Sequence, residues 1–164
     1  MNRKSFLKKG ILSSGVLLSA PTMLVGQDRD IIRMEDIKEF VTVGHGNFEK
    51  TKTIVEAKPL ILNCTYQWKR GDFETAVGGA CHVGSREVAD LLISKGARLD
   101  IFNYAFLGYT DFVIQQVADY PSLLKSPGPH GLTLLHHAKV GKQELLEEWL
   151  LEKGLTETHI KVYG

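Results

Sequence analysis

Cysteine is scarce in this chain of 164 residues, with only Cys64 and Cys81 present. That excludes a disulfide-dense scaffold and any thiolate zinc finger, because no C-x-x-C pair exists to build one. Neither charge sign dominates, since 20 Lys and Arg face 19 Asp and Glu. A sequence-independent nucleic-acid binder would carry a marked excess of cations, so that class is set aside. No G-x-x-x-x-G-K-[ST] loop, no G-x-S-x-G elbow and no H-x-x-x-H pair occurs, which leaves phosphate-cradling, serine-nucleophile and helical zinc-protease chemistry without their usual motifs. Long apolar runs are missing too, apart from one uncharged stretch at the N-terminus.

That stretch, Ile11 to Val25, follows Arg3, Lys4, Lys8 and Lys9. A cationic segment followed by a short apolar core is the plan of an export signal, and about 15 residues is short for a bilayer-spanning helix, which takes about 20. Asn2-Arg3-Lys4-Ser5-Phe6-Leu7-Lys8-Lys9 resembles a bacterial twin-arginine signal, with Lys4 where the second arginine belongs. Both the twin-arginine and the general secretory route stay open. Residues 1–27 are therefore expected to be a removable signal peptide and residues 28–164 the mature domain, exported or periplasmic and without a stable membrane anchor. Removal takes away four cations and no acid, leaving the rest mildly acidic.

The mature region contains an internal repeat. Thr75 to Asp100 reads as a short helix, a glycine turn, a longer amphipathic helix and a glycine stop, and Thr133 to Gly154 repeats that plan. Val88, Leu91 and Leu92 stand at i, i+3 and i+4, and Leu145, Leu146, Trp149 and Leu150 form a similar stripe, which marks one-sided apolar helices. Thr75 and Thr133 fall at helix starts, where a hydroxyl can accept from unpaired backbone donors. Gly96 and Gly154 fall at helix ends. Weaker copies surround Gly46 and Gly108.

These segments resemble the ankyrin repeat, whose pattern runs D-G-x-T-P-L-H-x-A-A and then G-x-x-E-V-V-x-L-L-L-x-x-G-A. Gly131, Thr133, Leu135, His136, Ala138, Gly141, Glu144, Leu145, Leu150 and Gly154 fit the later copy, and Thr75, Val77, Ala80, Gly84, Glu87, Val88, Leu91, Leu92, Gly96 and Ala97 fit the earlier one. Ala76 and Leu134 replace the proline, Gly78 the histidine and Phe73 the turn glycine. The resemblance implies an all-α solenoid of about four helix pairs with short, irregular finger loops, and a non-catalytic module that binds another protein. It also gives His136 a structural role in the turn. No cofactor, metal or nucleic-acid partner is expected.

The expected partner surface combines Gln67, Trp68, Lys69 and Arg70 on one finger with Phe102, Asn103 and Tyr104 on a shortened second one. Aromatic and cationic side chains together are enriched where binding energy concentrates. His45, His82, His130 and His159 read as turn or surface residues. The rival expectation is a ligand-binding or enzymatic accessory protein, in which Asp72, Glu74 and the histidines converge across a groove. Cys81, on an apolar helix face, is expected to be a buried free thiol in preference to a partner for Cys64.

Overall fold

A computed structural model describes residues 31–162. The expected signal peptide, residues 1–27, lies outside them. The described chain runs α1 (Met34–Gly44), α2 (Phe48–Ala57), β1 (Thr65–Lys69), β2 (Asp72–Thr75), α3 (Ala76–Val83), α4 (Arg86–Ser94), α5 (Ile101–Leu107), α6 (Thr110–Asp119), α7 (Leu134–Val140) and α8 (Glu144–Glu152). None of these helices is long and apolar enough to cross a membrane.

Helix boundaries follow from local chemistry. Thr75 Oγ1 accepts from Gly78 N at 3.1 Å to open α3, and Asn47 Oδ1 accepts from Lys50 N at 3.1 Å to open α2. Asp100 and Asn103 cap α5 reciprocally, each side chain accepting the other's backbone N–H at 2.9 and 3.0 Å. Such caps satisfy helix-end donors that would otherwise go unpaired. α3 then closes on Gly84, whose φ of 82° is left-handed.

The helices pack as successive pairs, α1 with α2, α3 with α4, α5 with α6 and α7 with α8, while α1 lies on α3, α3 on α5 and α5 on α7. Close approach is built in: a Cβ on Gly44 would come within 2.8 Å of Ala76 Cβ, so α1 meets α3 backbone to backbone. One buried cluster includes Phe40, Ile61, Val77, Val88, Leu92 and Phe106. A second includes Phe102, Val113, Leu134, Leu135, Leu146 and Leu150. Trp149 packs against the second cluster with Lys153 over its ring, whereas Leu145 faces solvent.

The all-α solenoid expectation is corrected here. Between α2 and α3 the chain forms an antiparallel sheet, β1 on β2, with Tyr66 opposite Glu74 and Gln67 opposite Phe73. The segment expected to be a finger loop is an ordered hairpin, because Thr65, Tyr66 and Trp68 suit extended backbone and Gly71, at φ 82°, supplies the turn. The architecture is mainly helical with one small two-stranded sheet.

The proline-containing segment after α6 forms two 3-10 turns, Pro121–Lys125 and Pro129–Gly131. Within the second, His130 has φ 59° and ψ 10°, a left-handed conformation that non-glycine residues adopt at a cost. The C-terminal segment pairs with residues 131–133, through Thr133 N to Thr158 O at 3.1 Å and Ile160 N to Gly131 O at 2.8 Å. The later half of the Pro129–Thr133 stretch is thus tied down.

Candidate metal centre

β2 reverses the usual alternation of a half-buried strand, since Asp72 and Glu74 point inward and Phe73 points out. Glu74 is only 1% exposed. A carboxylate taken out of water that completely needs partners for its charge. Trp68, across the hairpin on β1, donates its indole N–H to Glu74 Oε2 at 2.7 Å. The rest of its surroundings are imidazoles.

Three histidines from three further places in the chain face this carboxylate. His45, just past the end of α1, places Nε2 3.4 Å from Glu74 Oε2. His82, in the last turn of α3, places Nδ1 2.9 Å from Glu74 Oε1. His130, in the left-handed turn, places Nε2 3.4 Å from the same Oε1. One ligand atom from each of the four residues lies within 4.8 Å of the others. The rings also stack edgewise, His45 on His82 at 4.9 Å and His82 on His130 at 5.2 Å between centroids.

Tautomers are set from outside the cluster. His45 Nδ1 donates to the Val41 carbonyl at 2.9 Å, and His130 Nδ1 donates to Asp72 Oδ2 at 2.8 Å. Each bond puts the proton on the outer nitrogen and leaves Nε2 with a lone pair directed inward. Asp72 Oδ1 also accepts the His130 backbone N–H at 2.8 Å, which holds the left-handed turn against the hairpin. A carboxylate or carbonyl behind a histidine is the usual outer support of a metal-binding imidazole.

The centre of the cluster is not satisfied by hydrogen bonds. Glu74 Oε1 and His82 Nδ1 approach closely but out of hydrogen-bond alignment, and each is a buried polar atom without a hydrogen-bond partner. Burial pushes the Glu74 pKa upward, but the nearby His82 and His45 imidazoles and the Trp68 indole N–H together hold it below the usual carboxylate range. Glu74 is therefore an anion facing three imidazoles.

The donor set is three nitrogens and one carboxylate oxygen, with no thiolate. That set suits first-row ions such as zinc, copper, iron or nickel, whereas calcium takes six or more oxygens. In the tetrahedral geometry that zinc favours, donors about 2.1 Å from the ion stand about 3.4 Å from one another, so the widest separation in the cluster, which lies within 4.8 Å, closes by about an ångström when an ion binds.

Gly79 of α3 makes the space for His45. A Cβ there would lie 2.8 Å from His45 Cε1 and 2.9 Å from Nδ1. Gly79→Ala leaves the helix intact, since alanine is the better helix former, but it displaces the ring from the Val41 carbonyl. The expected result is a metal affinity lowered by roughly tenfold to a hundredfold with an unchanged far-ultraviolet circular dichroism spectrum, read by calorimetric titration.

The residues expected to form a partner surface are dispersed. Gln67, Lys69 and Arg70 are exposed on or beside the hairpin, while Trp68 is half-buried against Glu74. Phe102 and Asn103 are 9% and 2% exposed. Tyr104 is half-buried against Tyr109 and Phe112. His136 reaches across to α3, Nε2 donating to the His82 carbonyl at 2.9 Å. Cys81 is buried and Cys64 half-buried, both free. Sequence reading preferred His45, His82, His130 and His159 as turn or surface residues, with convergence of Asp72, Glu74 and the histidines as the rival; the structure brings both acids together with His45, His82 and His130. No protein-family model matches the chain, and no curated protein matches it.

Proposed function

We propose that this is an exported metal-binding protein that holds one first-row transition-metal ion with His45, Glu74, His82 and His130. The observation that carries the reading is the pairing of a fully buried carboxylate with three inward imidazole nitrogens, two of them directed by outer hydrogen bonds to Val41 and Asp72. Glu74 Oε1 and His82 Nδ1 stand 2.9 Å apart, an ion pair when His82 is protonated, but neither has an aligned hydrogen bond. A cation between them satisfies both. The export part rests on the cationic and apolar N-terminal sequence.

Titration of chelator-treated protein with zinc, cobalt or copper, followed by calorimetry and by metal analysis after desalting, tests the reading. The expected result is one ion per chain, with affinity falling by more than about a hundredfold in His82→Ala and in His130→Ala, beyond what loss of an outer-shell partner costs. Binding of equal strength in both variants would reject the site.

A further inference from the structure

A cleft of about 650 Å³ opens beside the cluster, lined by Trp68, Lys69, Asp72, His130, His159 and Lys161. Its inner wall is the outer surface of the proposed metal centre, because Trp68 and His130 belong to both. Of the four candidate ligands His130 alone lines the cleft, and its side chain keeps a third of its surface, while that of Glu74 keeps none. Solvent and solutes therefore reach His130 through the cleft.

The charge of the cleft is one-sided. Asp72 is its only acid, and both its oxygens are occupied, one by the His130 backbone N–H and the other by His130 Nδ1–H. Lys69 and Lys161 are exposed and make no ion pair among the described residues. Two ordered elements bring them to the same cleft: Lys69 ends β1 opposite Asp72, and Lys161 follows the C-terminal segment held by Ile160 N on Gly131 O. A divalent ion on one carboxylate would add a further net positive charge. Four protein donors close a tetrahedral zinc site, whereas a first-row ion that takes five or six ligands, such as iron, cobalt or nickel, keeps a position for another.

We propose that the cleft binds a small oxyanion, a carboxylate or phosphate, with one oxygen on the metal and its remaining charge held by Lys69 and Lys161. This rests on the metal reading above. A cleft of this volume accommodates a small organic molecule carrying such a group, and the pair of ammonium groups favours a ligand with more than one negative oxygen.

Cobalt(II) tests the inference, because its visible absorption reports both its binding and any change of its ligands. Full-length protein is loaded with cobalt and titrated separately with succinate and with inorganic phosphate at constant ionic strength. The expected result is a saturable spectral change with at least one of them, the tighter naming the preferred source. In K69A/K161A the midpoint should rise about tenfold, the equivalent of about 1.4 kcal/mol, with cobalt affinity unchanged. A cobalt spectrum that neither anion alters would overturn the inference and leave the metal centre standing. A midpoint indifferent to the double substitution would overturn the placement in this cleft. Failure to take up cobalt at all, seen before any anion is added, would remove the metal centre and this inference with it.

Discussion

Saturation with the preferred metal is expected to raise the melting temperature of the chelator-treated protein by roughly 15 °C. An ion that binds the folded chain and not the unfolded one stabilises it by about 4 kcal/mol at a free concentration about a thousandfold above its dissociation constant, and in a domain of this size each kcal/mol moves the midpoint by a few degrees. Here the proposed ligands stand at positions 45, 74, 82 and 130, so a bound ion would tie the end of α1, the hairpin, α3 and the left-handed turn into one unit. Without it, three rings and a carboxylate are held close around an unsatisfied centre. The unfolded chain still has six histidines, and their weak binding trims the gain. Thermal unfolding with metal, with chelator, and with metal added back reads the effect directly. A shift that survives unchanged in His45→Ala/His130→Ala would place the stabilising ion elsewhere.

The fold was legible in the sequence where a local rule decides it, and the site only in outline, through the rival expectation that Asp72, Glu74 and the histidines converge. Thr75 and Thr133 read as helix caps and act as such, with Gly78 N and His136 N on their hydroxyls, because capping involves residues three apart. Val88 and Leu92 read as core and are buried, as are Leu146 and Leu150. Leu145 belonged to the same apolar stripe and faces solvent, since periodicity marks a face more broadly than packing uses it. The hairpin was hidden by the repeat itself: aligning Phe73 with a turn glycine made Thr65–Thr75 look like a loop, whereas the alternation of β2 carried the opposite message. Metal ligands scattered over four elements have no spacing to recognise. Only the packing of α1 on α3, and of the Pro129–Gly131 turn on β2, brings His45, His82 and His130 together. Phe102 and Asn103 were misplaced on an exposed finger because Asp100 starts α5 immediately, leaving no loop there.

Acid should unfold the chelator-treated protein early, with His137 responsible for about 3 kcal/mol of the loss. Its side chain is 1% exposed on α7, against Phe102 with 5.3 Å between ring centroids. Burial lowers its pKa from the ordinary 6.5 to about 4, with further lowering from the charges of His136 and His82, although the bond from Nδ1 to the Thr133 carbonyl at 2.8 Å acts the other way. The unfolded chain therefore binds a proton in this window that the folded chain refuses, so stability rises with pH. It is fully present above about pH 6.5 and declines as pH falls towards 4, the range set by the two values. Integrated over that range the contribution is about 3 kcal/mol. Glu74, held below its ordinary pKa, loses stability in the same direction at lower pH, so the slope of the native protein alone does not isolate the histidine. His137→Asn does, since its amide can still donate towards Thr133 but takes no proton. Urea unfolding at about pH 7 and about pH 4 should show a loss in this variant smaller by about 3 kcal/mol than in the native chain. Equal losses in the two would mean that His137 is protonated as readily in the folded state as in the unfolded one.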